Sequence, residues 1–330
     1  MPELRLIDKL REFLKTAEGR ELTLNDIRNE LRIDPASPAW NGLRTQMFRL
    51  VDEKLVKPTG RKDGTYKVIQ QVKPVKVFGR VTSEPFKLNF PKDYSTQKEM
   101  KFAQDIVFRQ GDLILIAGRS NFGKTALCMN ILAENIDSHP VIMGNEYTTI
   151  DDQASDRFVN RLTQMDWVEW MNGDEEKFTL LPVRDDYAEH VVKDRINIID
   201  WINLEEHYTI SKIMEGIKRE LGNGVAVVAI QKADGAEAGR GGQFTKDFAD
   251  VELLIDQYGD SDETLLKIGK VKESTRRVSG RTFAFGITSG VMITNFREVY
   301  VCQTCKGRKY IGVKKCNDCD GVGYSEGVRP

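Results

Sequence analysis

Two groups of residues in this chain have types and spacing that could do chemistry. The first is Gly118-Arg119-Ser120-Asn121-Phe122-Gly123-Lys124-Thr125, which matches the phosphate-binding loop pattern in full. It follows an apolar run at 112–117 and opens a helical pattern at 124, the context the mechanism requires. Glycines let the backbone turn its N–H groups inward, and the helix N-terminus adds partial positive charge. Lys124 is expected to reach the β- and γ-phosphates of a nucleoside triphosphate and Thr125 to ligate Mg2+, with the nucleotide contacts running from Gly118 to Ala126. The second group is Cys302-X-X-Cys305 and Cys316-X-X-Cys319, ten residues apart. Paired thiolates at this spacing read as a tetrahedral Zn2+ site, structural because four ligands leave no open position. A redox dithiol is the alternative, but neither pair stands beside a thioredoxin-like βαβ pattern.

Two carboxylates could complete the phosphate site. Ile196-Asn-Ile-Ile-Asp200 delivers Asp200 to the end of an apolar strand, where a carboxylate can hold magnesium together with Thr125. Glu146 follows the run Pro140-Val-Ile-Met-Gly144 and is the best placed water-activating base. The competing reading of Glu146 is a solvated loop carboxylate, since Asp151 and Asp152 are close by. Cys128, on the apolar stretch after the loop, reads as core packing.

The elements that must position these groups follow from periodicity. Leu4, Ile7, Leu10 and Leu14 recur at helical spacing, Thr23 could cap a short helix carrying Ile27 and Leu31, and Leu43, Met47, Leu50 and Val51 mark a third helix. Two short extended runs around Asp63-Gly64 then read as a hairpin. Three helices and a hairpin resemble a winged helix domain over 1–72. Residues 73–97, with Pro74, Pro85 and Pro91, read as a linker and lead-in strand. Over 98–298, strands at 112–117, 140–144, 196–199 and 225–230 alternate with helices at 124–136, 151–165 and 209–221. Continuous apolar strands separated by helices imply an α/β fold with a mainly parallel sheet buried on both faces. Runs at 264–268, 281–285 and 291–294 read as antiparallel edge strands, and 299–330 as a small zinc ribbon with a hairpin at 307–313.

Composition restricts the partners. Of 330 residues, 40% are hydrophobic and 30% charged, which excludes a disordered chain. The longest apolar run, 225–230, is far too short to span a bilayer, so the expectation is a soluble cytoplasmic protein with no membrane partner. The net charge of -1 is a cancellation: 17 Lys/Arg against 11 Asp/Glu over 1–80, 26 against 36 over 81–298, and 6 against 3 over 299–330. Two basic ends flank an acidic middle, which excludes only nonspecific, whole-surface binding to nucleic acid.

The order of phosphate loop, strand-Glu146, strand-Asp200, strand-Gln231 and glycine-rich loop resembles the RecA-like ATPase core, especially the DnaB-type helicase and KaiC/RadA branches. The resemblance spans roughly 100–297. It implies that Gln231 senses the γ-phosphate and that Lys270 and Lys272 act on a neighbouring subunit's nucleotide in a hexameric ring or filament. Lys272 stands where DnaB-type helicases carry an arginine finger. Lysine lacks the planar fork, which implies slower hydrolysis unless Arg276 or Arg277 takes that place. The resemblance also implies that the loop after Gln231 contacts single-stranded DNA, with Lys232, Arg240 and Lys246 on phosphates, the alternative being an ordinary flexible loop.

In the N-terminal segment a recognition helix would offer Arg44 and Arg49 to duplex DNA, although such domains also mediate protein contacts. The chain therefore reads as a DNA-dependent ATPase, a replicative-helicase-like or recombinase-like motor on single-stranded DNA. The alternatives are an ATP-gated non-motor DNA-binding or signalling module and a recombination mediator or annealing protein.

Overall fold

The computed structural model describes residues 5–60, 62–72, 74–79, 82–144, 146–202, 210–232 and 243–327. Contacts divide the chain into two units, Met1–Thr82 and Ser83–Pro330.

In the first unit, α1 (Leu6–Thr16) is followed by β1 (Glu21–Thr23), α2 (Leu24–Glu30), α3 (Pro38–Asp52), β2 (Val56–Pro58) and β3 (Thr65–Val68). Thr23 caps α2 as expected: its hydroxyl accepts the Asp26 amide while Asp26 accepts the Thr23 amide. Ser37 accepts the Trp40 amide at the start of α3, and Pro38 occupies the first helical position, where no N–H is needed. Leu10, Leu14, Ile27, Leu43, Met47 and Leu50 meet in one core. The sheet has the order β1-β3-β2, all antiparallel. The three-residue β1 carries too short a pattern to announce itself and exists because β3 pairs with it.

The second unit is built on a ten-stranded sheet. Its strands and helices are β4 (Leu113–Gly118), α4 (Lys124–Glu134), β5 (Val141–Met143), α5 (Asp156–Gln164), the small hairpin β6 (Met171–Asn172) and β7 (Glu175–Glu176), β8 (Thr179–Leu181), β9 (Ile196–Ile199), α6 (Ile210–Glu220), β10 (Val225–Gln231), α7 (Gln243–Phe248), β11 (Val251–Gln257), β12 (Thr264–Val271), β13 (Thr282–Thr288), β14 (Met292–Val301), β15 (Tyr310–Ile311), β16 (Lys314–Lys315) and β17 (Tyr324–Ser325). The order is β17-β14-β13-β12-β11-β4-β10-β9-β5-β8. From β11 to β8 every pairing is parallel, and from β11 outward to β17 every pairing is antiparallel.

The mixed α/β class with a mainly parallel central sheet is thus as the apolar runs imply. Alternate residues of β4 enter different cores: Ile114 and Ile116 pack with α4, whereas Leu113, Leu115 and Ala117 pack with α6. Both faces are therefore dry, which is why the strand has no polar alternation. The helix expected over 151–165 begins only at Asp156, where Ser155 caps it. Residues 179–181 add a parallel edge strand that three residues could not signal.

Candidate functional site

Because the six parallel strands point the same way, their carboxyl ends form one edge, and the chemistry-bearing residues collect there. The loop between β4 and α4 turns on Gly123, whose φ of +92° is a left-handed conformation that side chains rarely adopt. Lys124 folds back over the loop, its Nζ donating to the carbonyls of Gly118 at 3.1 Å and Arg119 at 2.7 Å. Burial pulls its pKa down, against the opposing charges of Asp200 and Glu146.

Asp200 leaves β9 beside the loop and is 2% exposed. Its Oδ2 accepts the Tyr147 hydroxyl at 2.6 Å, while its Oδ1 is buried with no hydrogen-bond partner among the described residues. Burial raises its pKa, an effect that Tyr147, Thr125 and Lys124 only partly offset. An orphaned carboxylate oxygen near a threonine hydroxyl is a set of hard oxygen donors suited to magnesium, so the residues present fit that ion. Glu146 is exposed just beyond β5, close enough for its charge to act on both Lys124 and Asp200. At the end of β10, Gln231 donates from Nε2 to Ser120 Oγ at 2.8 Å, joining the neighbouring strand to the loop. Lys124, Thr125, Asp200, Glu146 and Gln231 are thereby brought together around one loop.

Two members of this cluster were not read from the sequence. Tyr147, fully buried, orients Asp200; its only signal was adjacency to Glu146. Asp256, near the end of β11, accepts the Lys232 ammonium at 2.8 Å and faces Arg119 at 3.5 Å. Burial would raise the Asp256 carboxyl, but the Lys232 hydrogen bond and the nearby charges hold it below its ordinary value. Arg119 also lies over the Phe122 ring at 4.9 Å.

The expected DNA contacts fare differently from one another. Lys232 requires a correction: at 7% exposure and paired with Asp256, it braces the phosphate loop instead of offering a charge to a strand. Arg240 lies outside the described residues. Lys246, on α7, is 3.7 Å from the buried Glu252. On α3, Arg44 is exposed and pairs with Asp63 at 2.7 Å, and Arg49 is exposed beside Gln46. Their helix face also carries Asn41, Thr45 and the exposed Phe48.

Lys270 and Lys272 stand at the opposite end of the sheet from the loop. Val251 pairs with both Val271 and Ile114, four residues before Gly118, so they are about 13 Å or more away along the strands. Lys270 caps α7 by donating to the carbonyls of Lys246 and Asp247, and Lys272 donates to Asp250. Neither reaches the loop of its own chain.

The four cysteines lie with all their sulfurs within 4.8 Å of one another. Cys302 and Cys316 are 3.8 Å apart and Cys305 and Cys319 3.7 Å, close to the edge of about 3.8 Å implied by a tetrahedron with Zn–S bonds near 2.3 Å. The four cysteines are buried together, and four soft sulfur donors at tetrahedral spacing fit zinc. The ribbon is tied to the large sheet: β17 pairs with β14, Tyr258 meets Tyr324, and Lys309 donates to Gly259 and Asp260 in the turn after β11.

No protein-family model matches the chain, and no curated protein matches it. Among solved structures, a KaiC-like protein from the hyperthermophilic archaeon Pyrococcus horikoshii OT3 is similar at 15% identity and a TM-score of 0.46, covering 64% of this chain and 97% of that one. A RadB recombinase is similar at 15% identity and a TM-score of 0.42, over 57% of this chain and 92% of its own. The functional reading rests instead on the loop and the carboxylates around it.

Proposed function

We propose that the chain binds and hydrolyses ATP at the loop 118–125 and uses that cycle on single-stranded DNA, as a ring or filament with nucleotide between subunits. The observation that carries the reading is the phosphate loop with the orphaned Asp200 oxygen beside it. Backbone N–H groups of the loop and the start of α4 hold the phosphates, and Lys124 leaves its two carbonyls to pair with the β- and γ-oxygens. A magnesium ion between Thr125 and Asp200 would neutralise phosphate charge there. Tyr147 keeps the Asp200 carboxylate aimed at the loop. Glu146 accepts the proton of the attacking water, and Gln231 moves from Ser120 to the γ-phosphate, coupling β10 and the segment after it to nucleotide state.

Lys270 and Lys272 act on the neighbouring subunit's nucleotide, a role supported by their distance from their own loop. Arg44, Arg49 and the basic α3 face fit duplex DNA in a winged-helix-like domain, and the ribbon carries a structural zinc. The Lys272–Asp250 pair favours a second reading, a slow ATP-gated switch, because the cation must leave a carboxylate before it can act. No helix among the described residues is long and apolar enough to cross a membrane. The test is ATPase rate with no DNA, single-stranded DNA and duplex DNA, beside particle size with and without nucleotide. Stimulation by single strands with nucleotide-dependent assembly supports the motor; flat rates and a monomer throughout overturn it.

A further inference from the structure

The ribbon's hairpin is anchored on one side and bare at its tip. Lys309 and Lys315 are within ion-pair reach of Asp260, which fixes the base of the hairpin against the turn after β11. Beyond that anchor, Tyr310 is 45% exposed, Ile311 53% and Val313 97%, on a segment with no core to bury them. The residues 306–315 contain Lys306, Arg308, Lys309, Lys314 and Lys315 and no carboxylate. Among the described residues, Arg308 and Lys314 make no ion pair.

Register decides what such a surface suits. Tyr310 pairs with Lys315 and Ile311 with Lys314, and directly opposed residues of an antiparallel pair share a face. Each face of the ribbon therefore carries one apolar side chain beside one cation, with Val313 at the tip between them. A folded protein partner would be met by a contiguous apolar patch with a polar rim. Here apolar and cationic groups alternate around a ribbon two strands wide. A single nucleic-acid strand offers the complementary alternation, unstacked bases and phosphates, on a backbone flexible enough to wrap. Duplex hides its base faces, so the three apolar groups would gain nothing from it.

We propose that the hairpin Tyr310–Lys315 is a contact surface for single-stranded nucleic acid, with Tyr310, Ile311 and Val313 against bases and Lys314 and Arg308 against phosphates. This surface is separate from the phosphate loop and does not depend on ATP turnover, so it is tested without nucleotide. The probes are labelled oligothymidylate, oligouridylate and a duplex, bound by the full chain and by its Tyr310→Ala and Lys314→Gln variants. Zinc content and thermal midpoint equal to those of the parent chain certify that each variant is folded.

Tyr310→Ala is expected to weaken binding to a single strand about fivefold or more. Lys314→Gln is expected to reduce the slope of log affinity against log salt by about 0.7. The two homopolymers decide between DNA and RNA as the source of the strand, and duplex binding is expected to be unchanged by Tyr310→Ala. Single-strand affinity and salt slope both matching the parent chain would overturn the proposal. So would loss of binding to polyglutamate with the oligonucleotides unaffected, which would make the hairpin a protein-docking surface.

Discussion

Asp200 shows what burying a carboxylate costs a fold. It is buried, one of its oxygens has no hydrogen-bond partner among the described residues, and burial raises its pKa above the ordinary value. A raised folded pKa means the native state holds the proton more tightly than the unfolded chain does. Ionised Asp200 is therefore a destabilising charge at neutral pH, and the penalty fades as pH falls through the folded pKa. Asp200→Asn is expected to raise stability by about 1–2 kcal/mol at pH 8, with the gain shrinking toward acid, while ATP turnover is lost. Thermal unfolding across pH, beside the ATPase rate, checks both halves.

Asp250 is the contrasting case. Burial would raise it, but Lys218, Lys272 and the Leu113 amide hold its pKa below the ordinary value. The stability it contributes is present above the unfolded pKa and is lost as pH falls through the folded one. Because its partners are partly exposed, Asp250→Ala is expected to cost about 1–3 kcal/mol at pH 7, measured by denaturant unfolding.

At the scale of elements, the join between β4 and α4 depends on one glycine. A Cβ at Gly123 would sit 2.4 Å from Ile287 Cδ1 and would require an L-residue at a φ of +92°. Gly123→Ala is expected to destabilise the protein by about 1–3 kcal/mol and to weaken nucleotide binding more than the same change at the open Gly19. Paired melting curves and nucleotide titrations measure the difference.

The ribbon supplies a second element-scale prediction, because a metal that orders it also holds Tyr324 and Lys309 against the turn at 258–260. Chelation is expected to make four cysteines reactive to a thiol reagent while Cys128, fully buried on α4, stays protected. Five fast-reacting thiols would contradict this.

The long elements were legible for a physical reason: β4, β9 and β10 are dry on both faces and must be apolar throughout. The short ones, β1 and β8, owe their existence to a neighbour's edge and leave no periodicity of their own. The same division holds in the site. Lys124, Thr125 and Asp200 follow from loop chemistry and strand ends, whereas the Lys232–Asp256 pair joins residues 24 apart and only the sheet brings them together.

Across the whole molecule, the loop and its carboxylates sit at the carboxyl edge of the sheet, and Lys270 and Lys272 sit at the other end. The proposed action of these lysines on a neighbouring nucleotide therefore requires a second copy. Mixing Lys270→Ala with Lys124→Ala is expected to restore some turnover that neither variant has alone, because mixed assemblies contain one intact boundary. Along the sequence an acidic middle lies between two basic ends, which are suited to polyanions.

The central claim is that the loop 118–125 is where ATP is turned over. Steady-state ATP hydrolysis by the Lys124→Ala chain, at saturating magnesium and ATP and beside the parent chain, tests it most directly. The account predicts a rate lower by about 100-fold or more in a variant that melts like its parent. Turnover equal to the parent's would contradict it.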